Sequence, residues 1–89
     1  MSKAVSSHIE QVKMVLDDTL ELAGRSRHFT RDTALLGSLP ELDSMAVIAV
    51  LTSIEESFGL IIEDDEVDAG TFETLGTLVD FVDGKIDIS

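Results

Sequence analysis

The sequence predicts an all-α fold, a bundle of three principal helices plus one short helix, with a long loop between helices one and two. Apolar residues recur every three or four positions in three segments, which is the spacing of one face of a helix. The 89 residues contain four Phe and no Trp or Tyr, so the core is mostly aliphatic, as in packed helices. A chain of this length builds one core. We therefore expect a single domain over residues 1–89, with a helical core over about 4–84.

The first helix is indicated by five apolar residues at spacings of three and four: Val5, Ile9, Val12, Leu16 and Leu20. Ser7 and Glu10 have the spacing of a capping box near its start. Gly24 follows the last periodic residues and is expected to end the helix, since glycine adopts the left-handed conformation of a helix C-terminus.

The periodicity is interrupted between Arg25 and Leu42, where Gly37, Ser38 and Pro40 favour turns. This stretch still contains four leucines that we expect to hold it on the core: Leu35, Leu36, Leu39 and Leu42. A loop this long in so small a domain is often functional, although a purely structural connector explains the same residues.

The second helix is expected to begin after Asp43, a residue type that caps helix N-termini. Its apolar face is predicted from five residues spaced by three or four: Met45, Ile48, Leu51, Ile54 and Phe58. Val47 and Val50 widen this face, and Gly59 is expected to end the helix.

The remainder of the chain predicts one short helix and one long helix. Ile61 and Ile62 precede an acidic stretch, residues 63–68, that we interpret as a short helix or helical turn. Thr74 is the expected cap of the last helix, and Gly84 its expected end. The residues predicted to face the core here are Leu75, Leu78, Val79 and Val82, with Phe81 nearby.

Charge narrows the range of partners. Six basic against eighteen acidic residues give a net charge of −12, which disfavours nucleic acid and anionic membranes and favours proteins with basic surfaces. Twelve of the acids lie between Glu41 and Asp83, a stretch without Lys or Arg. Each acid alone is typical of a soluble surface, whereas the set favours docking. Because the apolar runs are short, we expect no stable membrane insertion. The N-terminus does not resemble a signal peptide, which predicts a cytoplasmic protein. The like-charged surface predicts a monomer.

Several kinds of site are disfavoured by the residues present. The chain has no Cys, and His8 and His28 lie in separate segments, so both histidines are expected at the surface rather than on a metal. In the acidic stretch, an EF-hand loop starting at Asp64 would place Ala69 where Gly is needed and Leu75 where Glu is needed. No Gly-x-Ser-x-Gly elbow is present, and a chain this small has little room for an active-site cleft. The sequence therefore predicts a protein that is not an enzyme.

Ser44 is the candidate functional residue because of its position. Directly after the Asp43 cap, its hydroxyl is expected to project where the loop meets solvent. A phosphodiester there would lie close to unpaired N–H groups and the positive end of the helix dipole, although the Asp43 carboxylate opposes a second anion. Taken alone, an Asp-Ser pair is ordinary helix capping.

The segment Leu36–Phe58 carries a more specific signal. Its sequence is Leu-Gly-Ser-Leu-Pro-Glu-Leu-Asp-Ser-Met-Ala-Val-Ile-Ala-Val-Leu-Thr-Ser-Ile-Glu-Glu-Ser-Phe. This segment resembles the attachment region of acyl carrier proteins, in which an Asp-Ser-Leu motif starts the second helix and a Glu-Glu-x-Phe-like sequence closes it. Asp43-Ser44-Met45 matches the first motif and Glu55–Phe58 the second.

The resemblance implies that a phosphopantetheinyl transferase, using coenzyme A and a divalent metal, joins 4′-phosphopantetheine to Ser44. The terminal thiol then carries acyl groups as thioesters to acyl-transferring, ligase or synthase enzymes with basic docking surfaces. Asp43 and Met45 would frame the site, and Glu55 and Glu56 would contribute to recognition. Six residues are candidates for an apolar acyl pocket, with plain core packing as the alternative for most of them: Leu36, Ile48, Ile54, Ile62, Phe72 and Val79.

Three departures from the family pattern favour a specialised carrier with its own partners, in polyketide, lipid-modification or exopolysaccharide chemistry. Met45 replaces the usual Leu with a side chain of similar volume. Ala46 and Ala49 stand where fatty-acid carriers commonly have acids, and Pro40-Glu41-Leu42 replaces a Gly-containing approach. A peptidyl carrier remains the near alternative, although it usually has Gly-Gly-x-Ser at this place, and an unmodified acidic adaptor is the other.

Overall fold

The polypeptide forms a helical bundle, described by a computed structural model over residues 8–88 except for the side chains of Asp64, Asp87 and Ile88. Over these residues it contains three α-helices, which are α1 (Ile9–Leu20), α2 (Ser44–Phe58) and α3 (Leu75–Ile88). Three short 3-10 segments accompany them, at Arg25–His28, Asp64–Glu66 and Ala69–Phe72. The predicted all-α fold with three principal helices is confirmed. The short helix or helical turn predicted over residues 63–68 is present as the 3-10 segment Asp64–Glu66, and a second 3-10 segment follows it at Ala69–Phe72.

The end of α1 differs from the prediction. The helix stops at Leu20, because Glu21 adopts a left-handed conformation with φ of 55°. Its N–H donates to the carbonyl of Asp17. The chain then turns so that Leu22 is fully buried, and Gly24 leads into the next 3-10 segment rather than ending the helix. Val5 and the predicted Ser7 cap lie outside the described residues.

Helix α2 has the predicted ends but a different buried face. Gly59 terminates it with φ of 67°. Val50 and Ile54 are fully buried, whereas Met45 is 73% and Ile48 60% exposed. The predicted apolar face is therefore divided, with Ile54 in the core and with Met45 and Ile48 exposed to solvent. Every residue from 45 to 51 is apolar, so spacing alone does not distinguish the two faces.

Helix α3 begins at the predicted cap and continues past the predicted end. The Thr74 hydroxyl accepts the N–H of Thr77 at 3.2 Å, and the Thr77 hydroxyl accepts the N–H of Thr74 at 3.1 Å. The four residues predicted to face the core are fully buried: Leu75, Leu78, Val79 and Val82. Gly84 lies inside the helix without the positive φ of a helix-ending glycine, and the helix continues to Ile88, beyond the predicted limit of the helical core.

The long loop between α1 and α2 is paired along the start of α3. Four backbone hydrogen bonds of 2.9–3.0 Å join them: Leu35 N–H to Glu73 O, Leu36 N–H to Phe72 O, Leu75 N–H to Thr33 O and Gly76 N–H to Arg31 O. Leu35 and Leu42 are buried and Leu39 is half-buried, as predicted, while Leu36 is 42% exposed.

Polar contacts also connect the helices. Thr19 on α1 donates to Ser53 on α2 at 3.0 Å. His8, which was predicted at the surface, is half-buried, with Nδ1 2.7 Å from Asp83 Oδ1 and its ring edge-on to Phe58. His28 is exposed, as predicted. Among the described residues, every helix is too short or too polar to cross a membrane.

Candidate attachment site at Ser44

Ser44 is the first residue of α2, and its side chain is exposed. The preceding Asp43 is extended, with φ of −99° and ψ of −175°. Its Oδ1 accepts the N–H of Ala46 at 2.8 Å, and its carbonyl accepts the N–H of Val47 at 2.9 Å. Asp43 therefore caps the helix as predicted, and this cap makes Ser44 the residue at the junction of loop and helix.

The groups around the Ser44 hydroxyl fit a phosphodiester. Asp43 satisfies the amides of Ala46 and Val47, whereas the amides of Ser44 and Met45 donate no hydrogen bond within the described part of the chain. Two free N–H groups at a helix N-terminus favour an anion. The Asp43 carboxylate is already an acceptor in the cap, so its charge is partly compensated by the helix.

The loop that leads to Ser44 ends in a buried anchor. Leu42 is 4% exposed, and its N–H donates to the carbonyl of Leu39 at 3.0 Å. Beside it, Glu41 forms an ion pair with Arg25, which lies just after α1. Sequence reasoning noticed Glu41 but missed Arg25, because the two residues are 16 positions apart and no local pattern links them.

The Glu41 carboxyl group has a lowered pKa in this arrangement. A hydrogen bond from its own backbone N–H and the Arg25 guanidinium lower the pKa of its carboxyl group. Oε2 of the carboxylate contacts Arg25, whereas Oε1 is buried and has no hydrogen-bond partner from another residue in the described part of the chain. The Glu41 side chain is therefore bound by the charge of Arg25 at one oxygen and buried at the other.

Only some of the predicted recognition residues lie on one surface. Met45 and Glu56 both point outward from α2, on a face that also presents Ile48, Ala49 and Thr52. Glu55 is different, because it is half-buried and its Oε2 accepts the N–H of Ile62 at 2.7 Å. Glu55 thus holds the chain that follows α2, and its carboxylate is less available to a partner than that of Glu56.

The acyl-pocket candidates occupy several environments. Ile54, Phe72 and Val79 are at most 2% exposed and packed in the core, and Ile62 is half-buried. Leu36 and Ile48 are exposed. A cavity of about 530 Å³ lies elsewhere, between α1, the Arg25–His28 segment and Ser57, and none of the six candidates lines it.

Among the described residues, no group of three or more His, Asp or Glu side chains is placed to hold a metal ion. The Ser44 hydroxyl has no hydrogen bond to a histidine there either. The Ser44 hydroxyl thus lies exposed at the start of α2.

The described residues form a small helical bundle with an exposed serine at the start of its second helix. In a comparison with solved structures, the chain is similar to a holo acyl carrier protein from Nitrosomonas europaea, determined by solution NMR. The two share 49% sequence identity over 90% of this chain and 96% of that one, with a TM-score of 0.85. No family model matches the chain, and no curated protein matches it.

The chain belongs to the acyl carrier protein family. Its function is that of an acyl carrier, a protein that carries acyl groups rather than an enzyme that transforms them. The predicted family and function are confirmed.

Proposed function

We propose that this acyl carrier protein holds acyl groups as thioesters on a 4′-phosphopantetheine joined to Ser44 Oγ. One observation carries the assignment of the residue: Ser44 is exposed at the first position of α2, within the Asp43-Ser44-Met45 segment that matches the family motif. The cofactor is 4′-phosphopantetheine. When bound, it supplies a flexible arm with a terminal thiol, which holds the acyl group.

The modification is a transfer from coenzyme A. Ser44 Oγ forms a bond to the phosphorus that bears the pantetheine, and the P–O bond between the two phosphates breaks. Adenosine 3′,5′-bisphosphate leaves, and the serine proton passes to a base. A phosphopantetheinyl transferase supplies this base and a divalent metal. The carrier contributes an accessible hydroxyl, and its free Ser44 and Met45 amides lie near the new phosphodiester.

Partner enzymes dock beside Ser44 on the outward face of α2, which consists of Met45, Ile48, Ala49, Thr52 and Glu56. The part next to Ser44 is apolar, and Glu56 adds a negative charge at the far end. This favours acyl-transferring, ligase or synthase enzymes whose docking surface combines an apolar patch with basic residues. The absence of acids from 44 to 54 supports a specialised pathway rather than general fatty-acid synthesis.

The setting follows from the same features. The protein acts as a monomer, since its net charge of −12 opposes self-association, and the same charge opposes binding to nucleic acid. The arm itself works by tethering, which raises the concentration of the acyl group at the active site of a docked enzyme.

The core provides a place for the acyl chain between exchanges. Ile54, Phe72 and Val79 are buried, and burying a methylene among such residues stabilises by about 0.8 kcal/mol. These side chains are closely packed, so a chain enters only as they move apart.

The test is incubation of apo protein with coenzyme A, magnesium and a broad-specificity phosphopantetheinyl transferase, followed by intact-mass measurement. We expect the wild type to gain one phosphopantetheinyl group and Ser44→Ala to gain none. Ser38→Ala is the matched control, since Ser38 is exposed in the loop before α2, and it should be modified normally. A folded wild type of unchanged mass would favour the adaptor, and an equal gain by Ser44→Ala would overturn the site.

A further inference from the structure

We propose that the ion pair between Arg25 and Glu41 positions Ser44 for its modification, an inference that rests on the proposed function. Glu41 is in the loop directly before α2, and only Leu42 and Asp43 separate it from Ser44. Arg25 belongs to the segment after α1. The pair therefore joins the approach to the modified serine to a distant part of the fold.

The guanidinium of Arg25 is itself held in place. Its Nε donates to the carbonyl of Leu22 at 3.2 Å, while the terminal nitrogen contacts Glu41 Oε2. Leu22 is fully buried, so this carbonyl is fixed by the core. The Arg25 side chain thus connects the buried Leu22 to Glu41 through two directed hydrogen bonds.

No other described polar contact performs this task. The first part of the loop is paired with the start of α3 through Leu35 and Leu36. Among the described hydrogen bonds of residues 37–42, the rest are local: Ser38 and Leu39 donate to Leu35, and Leu42 donates to Leu39. Leu42 anchors this half of the loop in the apolar core, and the bond to Arg25 is its polar link to the rest of the described molecule.

The enclosure of Glu41 supports a fixed geometry. Its Oε1 is buried without a hydrogen-bond partner from another described residue, while Oε2 contacts Arg25. The side chains of Arg25 and Glu41 are 53% and 32% exposed, so solvent screens their attraction and the pair adds little to global stability. Its effect is on where the loop lies.

Loss of the pair leaves a loop that samples several positions, of which the transferase binds one. The apparent affinity of the transferase for the carrier is then the intrinsic affinity multiplied by the fraction of carrier molecules in that position. The rate of the reaction within the bound complex is unchanged. We therefore expect Glu41→Ala and Arg25→Ala each to raise the KM for the carrier by about three- to tenfold, with kcat changed by less than about twofold. The double variant should resemble either single variant, since both remove one contact.

The experiment measures kcat and KM of the same transferase with each variant as the varied substrate, at a temperature where circular dichroism shows all of them folded. Asp80→Ala is the control. It breaks an exposed ion pair in which Arg31 donates to both oxygens of Asp80 at 2.8 Å, on α3, and should leave KM unchanged. Glu41→Gln keeps the size and an acceptor, so a KM between those of wild type and Glu41→Ala is expected, and it replaces Glu41→Ala if that variant does not fold.

The positioning role is overturned if Glu41→Ala and Arg25→Ala keep the wild-type KM, if Asp80→Ala raises it equally, or if the two single effects multiply in the double variant. Failure of the wild type to be modified would instead contradict the proposed function. The two results are distinguishable because the first requires a modified wild type.

Discussion

Two glycines of α3 lie in opposite environments. A Cβ built on Gly76 would be 2.9 Å from the carbonyl oxygen of Arg31 and 3.2 Å from its Cβ. The N–H of Gly76 donates to the same carbonyl at 2.9 Å. A Cβ on Gly84 would meet nothing within 4 Å. Gly76 therefore allows the long loop to approach α3 closely, whereas Gly84 only adds flexibility to a helix.

Substitution of these glycines by alanine should change stability in opposite directions. Gly76→Ala forces the paired backbone of Arg31 away and should lower the free energy of unfolding by about 1–3 kcal/mol. Gly84→Ala places a better helix former in open space and should raise it by about 0.5–1 kcal/mol. Urea denaturation of both variants measures the difference. Effects of the same sign would show that one of the two environments is misassigned.

At the scale of residues, local contacts were predictable and distant ones were not. The Asp43 cap acts over three positions, so sequence alone predicted it and, with it, the place of Ser44. The contact between His8 and Asp83 spans 75 positions, and no pattern in the sequence connects them. The Glu41 contact to Arg25 is of the same kind, which is why sequence reasoning described Glu41 only as a departure from the family.

At the scale of elements, the two faces of α2 differ in what they contact. Its inward face holds Val50 and Ile54, and its outward face carries Met45 and Ile48 beside the serine. Sequence reasoning predicted the ends of this helix but not its orientation, because a run of apolar residues fits either face. Of the glycines predicted to end helices, only Gly59 does so in the structure, with a positive φ at the end of α2. Gly84 lies within α3.

The outward apolar residues of α2 should matter for recognition and not for folding. The double variant Met45→Ala/Ile48→Ala removes exposed side chains, so its free energy of unfolding should stay within about 0.5 kcal/mol of wild type. Loss of two apolar contacts at the centre of an interface should lower kcat/KM for the transferase by about tenfold.

Ile61→Ala is the matched control for that experiment, since Ile61 is 72% exposed and lies outside α2. It should leave kcat/KM unchanged. An equal loss from Ile61→Ala, or none from the double variant, would contradict docking on this face.

For the whole molecule, charge is divided along the chain. Residues 1–40 contain five acids and five bases, whereas residues 41–89 contain thirteen acids and one base. The ion pairs from Arg25 to Glu41 and from Arg31 to Asp80 connect these two parts. The neutral part thus supplies cations that compensate two of the carboxylates in the acidic part.

Three carboxyl groups have lowered pKa values, each for a local reason. The hydroxyl of Ser26 is the main cause at Asp17, followed by the N–H of Gly24. At Glu41 the main cause is its own backbone N–H. At Glu66 it is the Lys85 ammonium, which lies 2.6 Å from Oε1, followed by the N–H of Glu63. These groups bind protons less readily in the folded protein than in the unfolded chain.

This lowering gives the sign of a pH effect at Glu66. A carboxyl group with a depressed folded pKa contributes stability that is present above its unfolded pKa, near 4.5, and lost as the pH falls through the folded value. Glu66→Gln lacks this contribution. The gap in free energy of unfolding between wild type and variant should therefore be largest near neutral pH and should close as the pH falls below about 4.

Urea denaturation of wild type and Glu66→Gln across this range measures the gap, and comparison within each pH removes the effect of the other acids. In a Lys85→Ala background the gap should be smaller at neutral pH, because the main cause of the lowered pKa is gone. A gap that widens with acid would reverse the sign and contradict the contact between α3 and the segment after α2. In that case, the attraction between Glu66 and Lys85 would contribute less to stability than the repulsion between carboxylates takes away. Protonation of the carboxylates at low pH relieves that repulsion.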